Sequence, residues 1–189
     1  MGVHEKGVPQ ADPLQGGYGG CGIYPDEGTS GMLIEKNLVY NCGECFSQHY
    51  GRENLVRNNI FAFADDGVAG VHRKEEHIGA IFERNIVVSE GQALYRALAA
   101  GKFRDDGNLF YDYANPRRPF SAKQKGHDFG DRLYSGDVRG LGYYNNALFA
   151  DPLFRDPKNG DFTLALNSPA VTQLGFEAWD YSQAGRLAE

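Results

Sequence analysis

Asn37-Leu38-Val39-Tyr40, Asn59-Ile60-Phe61-Ala62, Asn85-Ile86-Val87-Val88 and Asn108-Leu109-Phe110-Tyr111 are four copies of one phrase, an asparagine followed by a strand-like apolar run. The asparagines are 22, 26 and 23 residues apart. Self-similarity at this period is the signature of a solenoid. A second apolar column keeps step about 14 residues ahead of each asparagine: Ile23, Phe46, Val71 and Leu94, spaced 23, 25 and 23. Each repeat is too short to bury its own apolar residues, so stacking must present these side chains to a shared interior. Short runs rich in Val, Ile, Phe and Tyr, separated by Gly, Asn and Asp, predict strands joined by tight bends. Asparagine suits the bend because it tolerates the left-handed conformation. Stacked bend asparagines are also expected to pair amide to amide up the column. Unrelated antiparallel hairpins would not require a constant period.

The chain in order follows this plan. Residues 1–21 carry little pattern and are expected to cap the first coil. The coils occupy residues 22–112, about four in all. In coil one Ile23 points in and Tyr24 and Asp26 point out by strand alternation. In coil two Phe46 points in, with Ser47 and His49 out. In coil three Val71 points in, with His72 and Lys74 out, and in coil four Leu94 points in, with Tyr95 and Ala97 out. The second side of coil four is degenerate, since Arg104-Asp105-Asp106-Gly107 stands where earlier coils place apolar residues. Residues 113–147 form a long loop without a clear period. Residues 148–189 read as a hairpin, with a strong turn at Pro157-Lys158-Asn159-Gly160, and an apolar flap that covers a side or end of the solenoid.

Composition bounds the function. The chain has 189 residues, one domain or one domain with an appendage, and 25 glycines, as a turn-rich fold requires. A net charge of −6 with no Lys/Arg run argues against nucleic acid as a partner. No apolar run approaches the ~18 residues of a spanning helix, so no membrane partner is expected. Residues 1–10 lack the basic-then-apolar form of a secretion signal. The expected location is cytoplasmic, or secreted or periplasmic where a signal has been removed. Cys42-Gly43-Glu44-Cys45 has redox-motif spacing without a surrounding βαβ pattern, and is half of a zinc site. Cys21, Cys42 and Cys45 read as small residues at a coil turn, a Cys42–Cys45 or Cys21–Cys45 disulfide being the alternative in an oxidising compartment.

Gly22-Ile23-Tyr24-Pro25-Asp26-Glu27-Gly28-Thr29-Ser30-Gly31, followed a coil later by His49-Tyr50-Gly51-Arg52-Glu53-Asn54-Leu55-Val56-Arg57-Asn58-Asn59-Ile60-Phe61, resembles the right-handed parallel β-helix proteins of the pectate-lyase-like superfamily, β-helical glycoside hydrolases and polysaccharide lyases included. Asp151-Pro152-Leu153-Phe154, Asn159-Gly160-Asp161-Phe162, Ser168-Pro169-Ala170 and Gly175-Phe176 resemble the closing segment of such chains. The resemblance covers residues 20–112 and 148–186. It implies an all-β, right-handed parallel β-helix and a polysaccharide or oligosaccharide partner. Members of that superfamily are usually longer, so this chain resembles their C-terminal part.

The outward columns, Tyr24, Ser47, His72, Tyr95 and Asp26, His49, Lys74, Ala97, would then line one groove. Aromatic and ionisable groups together suit the apolar faces and hydroxyl edges of a sugar. Asp26, Glu27, His49, His72 and Lys74 are the catalytic candidates, and Tyr24, Ser47, Tyr50, Arg52 and Tyr95 the substrate contacts. In a hydrolase Asp26 and Glu27, or another carboxylate, would flank the glycosidic bond; an Asp26/Glu27 pair requires a bend, because neighbours on a strand point to opposite faces. In a lyase His49, His72 or Lys74 would be the base, Tyr24 or Tyr95 the acid and Arg52 the clamp. No cofactor is implied; calcium held by Asp26, Glu27 and His49 is a third option without a recognised ligand spacing. The rival reading is a non-catalytic module that binds glycan or protein. Exposed end coils need capping or pairing, which makes a homodimer through the solenoid ends the alternative to a cap.

Overall fold

The computed structural model describes residues 20–73, 75–92, 95–96, 103–116, 121–123, 132–134 and 145–182, with the backbone alone at 95–96, 103, 121–123 and 132–134. The strands are β1 (Cys21–Ile23), β2 (Leu33–Glu35), β3 (Leu38–Tyr40), β4 (Glu44–Gln48), β5 (Asn54–Arg57), β6 (Ile60–Ala62), β7 (Gly67–Val71), β8 (Ala80–Glu83) and β9 (Ile86–Ser89). They are followed by β10 (Tyr95–Arg96), β11 (Phe103–Asp106), β12 (Leu109–Asp112), β13 (Ser121–Lys123), β14 (Arg132–Tyr134), β15 (Leu148–Phe149), β16 (Phe154–Asp156) and β17 (Asp161–Leu164). One short helix, α1 (Pro169–Leu174), closes the described elements.

Every third strand stacks on its predecessor in parallel. The three sheets run β1-β4-β7-β10-β13-β14, β11-β8-β5-β2 and β15-β12-β9-β6-β3, and all pairings within them are parallel except β13–β14. This is an all-β parallel solenoid of about three turns. Windings β1–β3, β4–β6 and β7–β9 are complete; the expected fourth coil contributes β10–β12, with residues 93–94 and 97–102 outside the described set. Two strands, β13 and β14, fall inside the expected loop, and β13 extends the first sheet by pairing with β10.

The bend asparagines form a continuous amide ladder. Asn37 Nδ2 donates to Asn59 Oδ1 (2.9 Å), Asn59 Nδ2 to Asn85 Oδ1 (2.9 Å) and Asn85 Nδ2 to Asn108 Oδ1 (3.0 Å). Each Oδ1 also accepts the backbone N–H of the preceding asparagine, at 3.0, 3.0 and 2.7 Å. The side chains therefore satisfy backbone groups that a bend takes out of the sheet ladder. The left-handed residue is not the asparagine, as the sequence suggested, but the one before it: Lys36 (φ 56°), Asn58 (φ 53°), Arg84 (φ 51°) and Gly107 (φ 61°). The same bend recurs at Asn146 (φ 48°) before β15, where Ala147 occupies the ladder position and the ladder ends. The last rung is held by Asp105, which is fully buried at the register position of Phe82 and accepts from Asn108 Nδ2 at 2.5 Å. Both acidic residues of coil four thus belong to a regular strand; Asp105 serves the ladder, and Asp106 accepts from Asn146 Nδ2 (2.8 Å).

Inside the coil, Phe46, Phe61 and Phe82 form the centre of the core, with ring centroids 5.5–6.3 Å apart. Val39, Val56, Val87 and Phe110 pack around them, with smaller residues such as Cys45, Ala69 and Ala80. The inward column in register is Ile23, Phe46 and Ala69, and the backbone of Tyr95 pairs with Ala69 in the next winding. Val71, expected in that column, pairs with Gln48 one layer further along. It is buried all the same, because two residues along a strand is the same face.

The outer face of the third sheet is also apolar. Ile60, Ala62, Ile86, Val88 and Leu109 are buried there against Phe154, Phe162, Ala170 and Phe176. The hairpin β16–β17 and α1 therefore lie over a side of the solenoid. Phe162 packs on Tyr40 and Phe63, at 4.9 and 6.2 Å between centroids. Asn58 pins the segment after α1 through a pair of bonds, Nδ2 to Glu177 O and Glu177 N–H to Oδ1, both 2.7 Å. Ser168 caps α1 by accepting the Ala170 N–H, Pro169 starts it, and Gly175 (φ 67°) ends it.

Candidate functional site

The site is built where the first sheet hands the chain to the second. Residues 26–29 form a turn closed by Thr29 N–H on the Asp26 carbonyl (3.1 Å), so the strand direction is broken there. That break lets the neighbours Asp26 and Glu27 approach a common partner. His49 Nδ1, one coil above, lies 3.4 Å from Asp26 Oδ1 and 3.9 Å from Glu27 Oε1. The two carboxyl oxygens are therefore no farther apart than the sum of those distances. His49 is held by its backbone N–H on the Pro25 carbonyl (3.0 Å) and by an edge-to-face contact with Tyr50 at 5.1 Å. Arg73 lies over the Tyr50 ring, 4.5 Å from its centroid. Asp26, Glu27, Arg52 and Tyr24 are exposed, and His49 and Tyr50 half-buried.

A second cluster joins β4 to the residue that follows β7. His72 Nε2 is 2.9 Å from Glu44 Oε2, 3.1 Å from Glu44 Oε1 and 2.9 Å from Ser47 Oγ. Glu44 and Ser47 are only 2% and 3% exposed. They meet one imidazole because Cys45 and Phe46 both enter the same interior cluster, which breaks strict alternation along β4. Serine, histidine and carboxylate here are not a nucleophilic triad. A triad uses the two ring nitrogens for two different partners, whereas here Ser47 and Glu44 share Nε2. What the cluster does is anchor the end of β7 onto β4.

The expected columns are partly realised. Asp26 and His49 come together as anticipated, and Glu27 joins them. Ser47 pairs in register with Gly70 rather than His72, and is buried. Tyr95 pairs with Ala69, the column of Phe46, and not with the outward residues. Lys74 and Ala97 lie outside the described residues. Arg52 acts through its backbone, its N–H on Ser30 Oγ (3.1 Å) and its carbonyl accepting Gly31 N–H (2.9 Å). Nothing in the local sequence pattern marks Glu44 or Arg73 for this site. Close packing fixes the bend between these residues: a Cβ on Gly51 would stand 1.9 Å from the Thr29 carbonyl oxygen. His77, bonded to Glu75 (2.9 Å) and to the Gly51 carbonyl (3.2 Å), closes the next coil above it. Among the described residues no group of three or more His, Cys, Asp or Glu is arranged to hold a metal ion.

A separate cleft of about 280 Å³ opens on the other side of the molecule, between the third sheet and the C-terminal segment. Phe162, Phe176, Trp179 and Tyr181 give it aromatic walls, and Thr163 and Asp180 its polar rim. Comparison with protein-family models, curated proteins and solved structures finds no match to this chain. The parallel β-helix is therefore established by the strand pairing itself.

Proposed function

We propose that the protein binds a glycan along the Asp26–His49 edge and hydrolyses a glycosidic bond there. The observation that carries this reading is the convergence of Asp26 and Glu27 on His49, beside the exposed face of Tyr24 and the Tyr50–Arg73 pair. Glycoside hydrolysis needs two carboxyl groups about 5–9.5 Å apart, one to protonate the leaving oxygen and one to act as base or nucleophile. Asp26 and Glu27 are the pair, and His49 orients Asp26 through Nδ1. Tyr24, 39% exposed at this edge, adds an aromatic ring with a polar tip to the contacts a sugar can make.

Charge favours hydrolysis over the lyase alternative. Eliminative cleavage acts on uronic acids, and a polyanion approaching Asp26 and Glu27, on a chain of net charge −6, meets repulsion. A neutral glycan meets none. The pectate-lyase-like affinity is proposed on the same basis, from the β-helical fold and the carboxylates at its edge. The aromatic cleft at Trp179 and Tyr181 favours a second reading, a non-catalytic glycan-binding module.

The test is a panel of neutral and uronic-acid polysaccharides, each assayed for reducing ends and for unsaturated ends, with and without calcium. The hydrolase reading predicts reducing ends alone, from a neutral glycan. Unsaturated ends would replace it with the lyase. Folded protein that releases neither, yet binds glycan in a manner lost in Trp179→Ala, would replace it with the binding module.

A further inference from the structure

We propose that Cys42 and Cys45 are a thiol–disulfide exchange pair, with Cys42 the attacking and Cys45 the resolving thiol. The two sulfurs already lie 3.7 Å apart, in contact across the bend between β3 and β4. Closing them to the roughly 2.05 Å of a disulfide needs a side-chain rotation rather than a movement of distant elements. Access divides the roles: Cys42 is half-buried and within reach of a small disulfide, whereas Cys45 is fully buried. Cys45 is also fixed in direction, its Sγ 3.4 Å from the Val39 carbonyl oxygen and 3.5 Å from that of Ala62. The thiol chemistry agrees. The sulfur–sulfur hydrogen bond with Cys45 holds the Cys42 thiol below its usual range, against the opposing effect of burial. Burial first, and then the neighbouring Cys42, push the Cys45 thiol well up. A half-buried thiol held below its usual range beside a fully buried one pushed up is the asymmetry exchange requires.

The reaction balances with a low-molecular-weight disulfide as oxidant. The Cys42 thiolate attacks one sulfur of the oxidant, its S–S bond breaks, and one thiolate leaves and takes a proton from water. Cys45 then loses its proton to solvent and attacks the Cys42 sulfur, which forms the Cys42–Cys45 bond and expels the second thiol. Two cysteines are oxidised and one disulfide is reduced to two thiols.

The experiment uses the full chain carrying Cys21→Ser, equilibrated over a series of reduced-to-oxidised glutathione ratios, quenched, and read by intact mass and peptide mapping. The expected result is one internal Cys42–Cys45 disulfide with the mass loss of two hydrogens, populated without a lasting glutathione adduct. Under reducing conditions iodoacetamide should label Cys42 well before Cys45, with a pH midpoint below that of an ordinary cysteine. Adding Cys45→Ser should trap a stable glutathione adduct on Cys42. The proposal is overturned if Cys42 and Cys45 stay reduced under excess oxidised glutathione, or if the parent chain stops at the mixed disulfide. Mapping of the parent chain decides the matter even where Cys45→Ser does not fold.

Discussion

Replacing Asn85 by alanine tests the physics of the ladder, because Asn85, like Asn59, is a fully buried inner rung. Its Oδ1 accepts from the backbone N–H of Asn59 (3.0 Å) and from Asn59 Nδ2 (2.9 Å). Its Nδ2 donates to the Val56 carbonyl (2.9 Å) and to Asn108 Oδ1 (3.0 Å). Alanine takes away all four. The buried Asn59 N–H then loses its acceptor, at a cost of roughly 1–3 kcal/mol, and the lost net bonds add about 1 kcal/mol. The sum is a loss of about 2–4 kcal/mol. The end rung supplies the comparison. In Asn37→Ala the Asn59 Oδ1 keeps the bond from backbone N–H 37, so the expected loss is only about 1 kcal/mol. Asn85→Asp is predicted to be at least as damaging as alanine, since a carboxylate oxygen would face the Val56 carbonyl and Asn108 Oδ1, two acceptors. It should recover as pH falls, because a protonated carboxyl can donate again. Urea unfolding followed by circular dichroism, with the m-value held constant across variants, measures all three. A loss for Asn85→Ala no greater than for Asn37→Ala would refute the reasoning, since the inner rung would then carry no more than the outer.

Three further outcomes follow from the structure. Gly51→Ala should lose at least about 1–3 kcal/mol in the same unfolding assay, because the added carbon meets the Thr29 carbonyl and backbone must move. His72→Ala should cost about 1–3 kcal/mol, since it removes the hydrogen-bond partner that buried Ser47 and Glu44 share, whereas His49→Ala at the exposed site should change stability by under ~1 kcal/mol. The hydroxyl and N–H of Thr163 hold the Asp161 carboxyl below its ordinary range, so its folded pKa is depressed. Its contribution is then present above the unfolded carboxylate value and lost as pH falls through the folded one, and the acid-side fall in hairpin stability should be shallower in Asp161→Asn.

Much of the fold was legible because a period is a property of the sequence. Asn37, Asn59, Asn85 and Asn108 repeat at the spacing of one winding, and each has the same job, so the ladder could be anticipated. Register was less so. Ala69 is small and Val71 is large, so the apolar column was drawn through the larger residue two places on, which kept the face but shifted the layer. In coil four the backbone register sets Tyr95 beside Ala69, one place from the expected Leu94. Asp26 and His49 were legible as an outward pair. Glu44 was hidden, because Cys45 and Phe46 both enter the core and no local pattern announces the break in alternation. Asp105, a charge in a strand, read as degeneracy until the partner it serves, Asn108, was seen across the bend.

The central functional claim is that the Asp26–Glu27 pair performs hydrolysis, and the measurement that tests it most directly is reducing-end release by Asp26→Asn and Glu27→Gln beside the parent chain. Asp156→Asn, a carboxylate in the C-terminal hairpin away from this edge, serves as the control. The account predicts that each site variant loses at least about 100-fold in turnover, the lower range for removing a general acid or base, while the control matches the parent and all four chains melt alike. Turnover that survives both substitutions with the fold intact would contradict it.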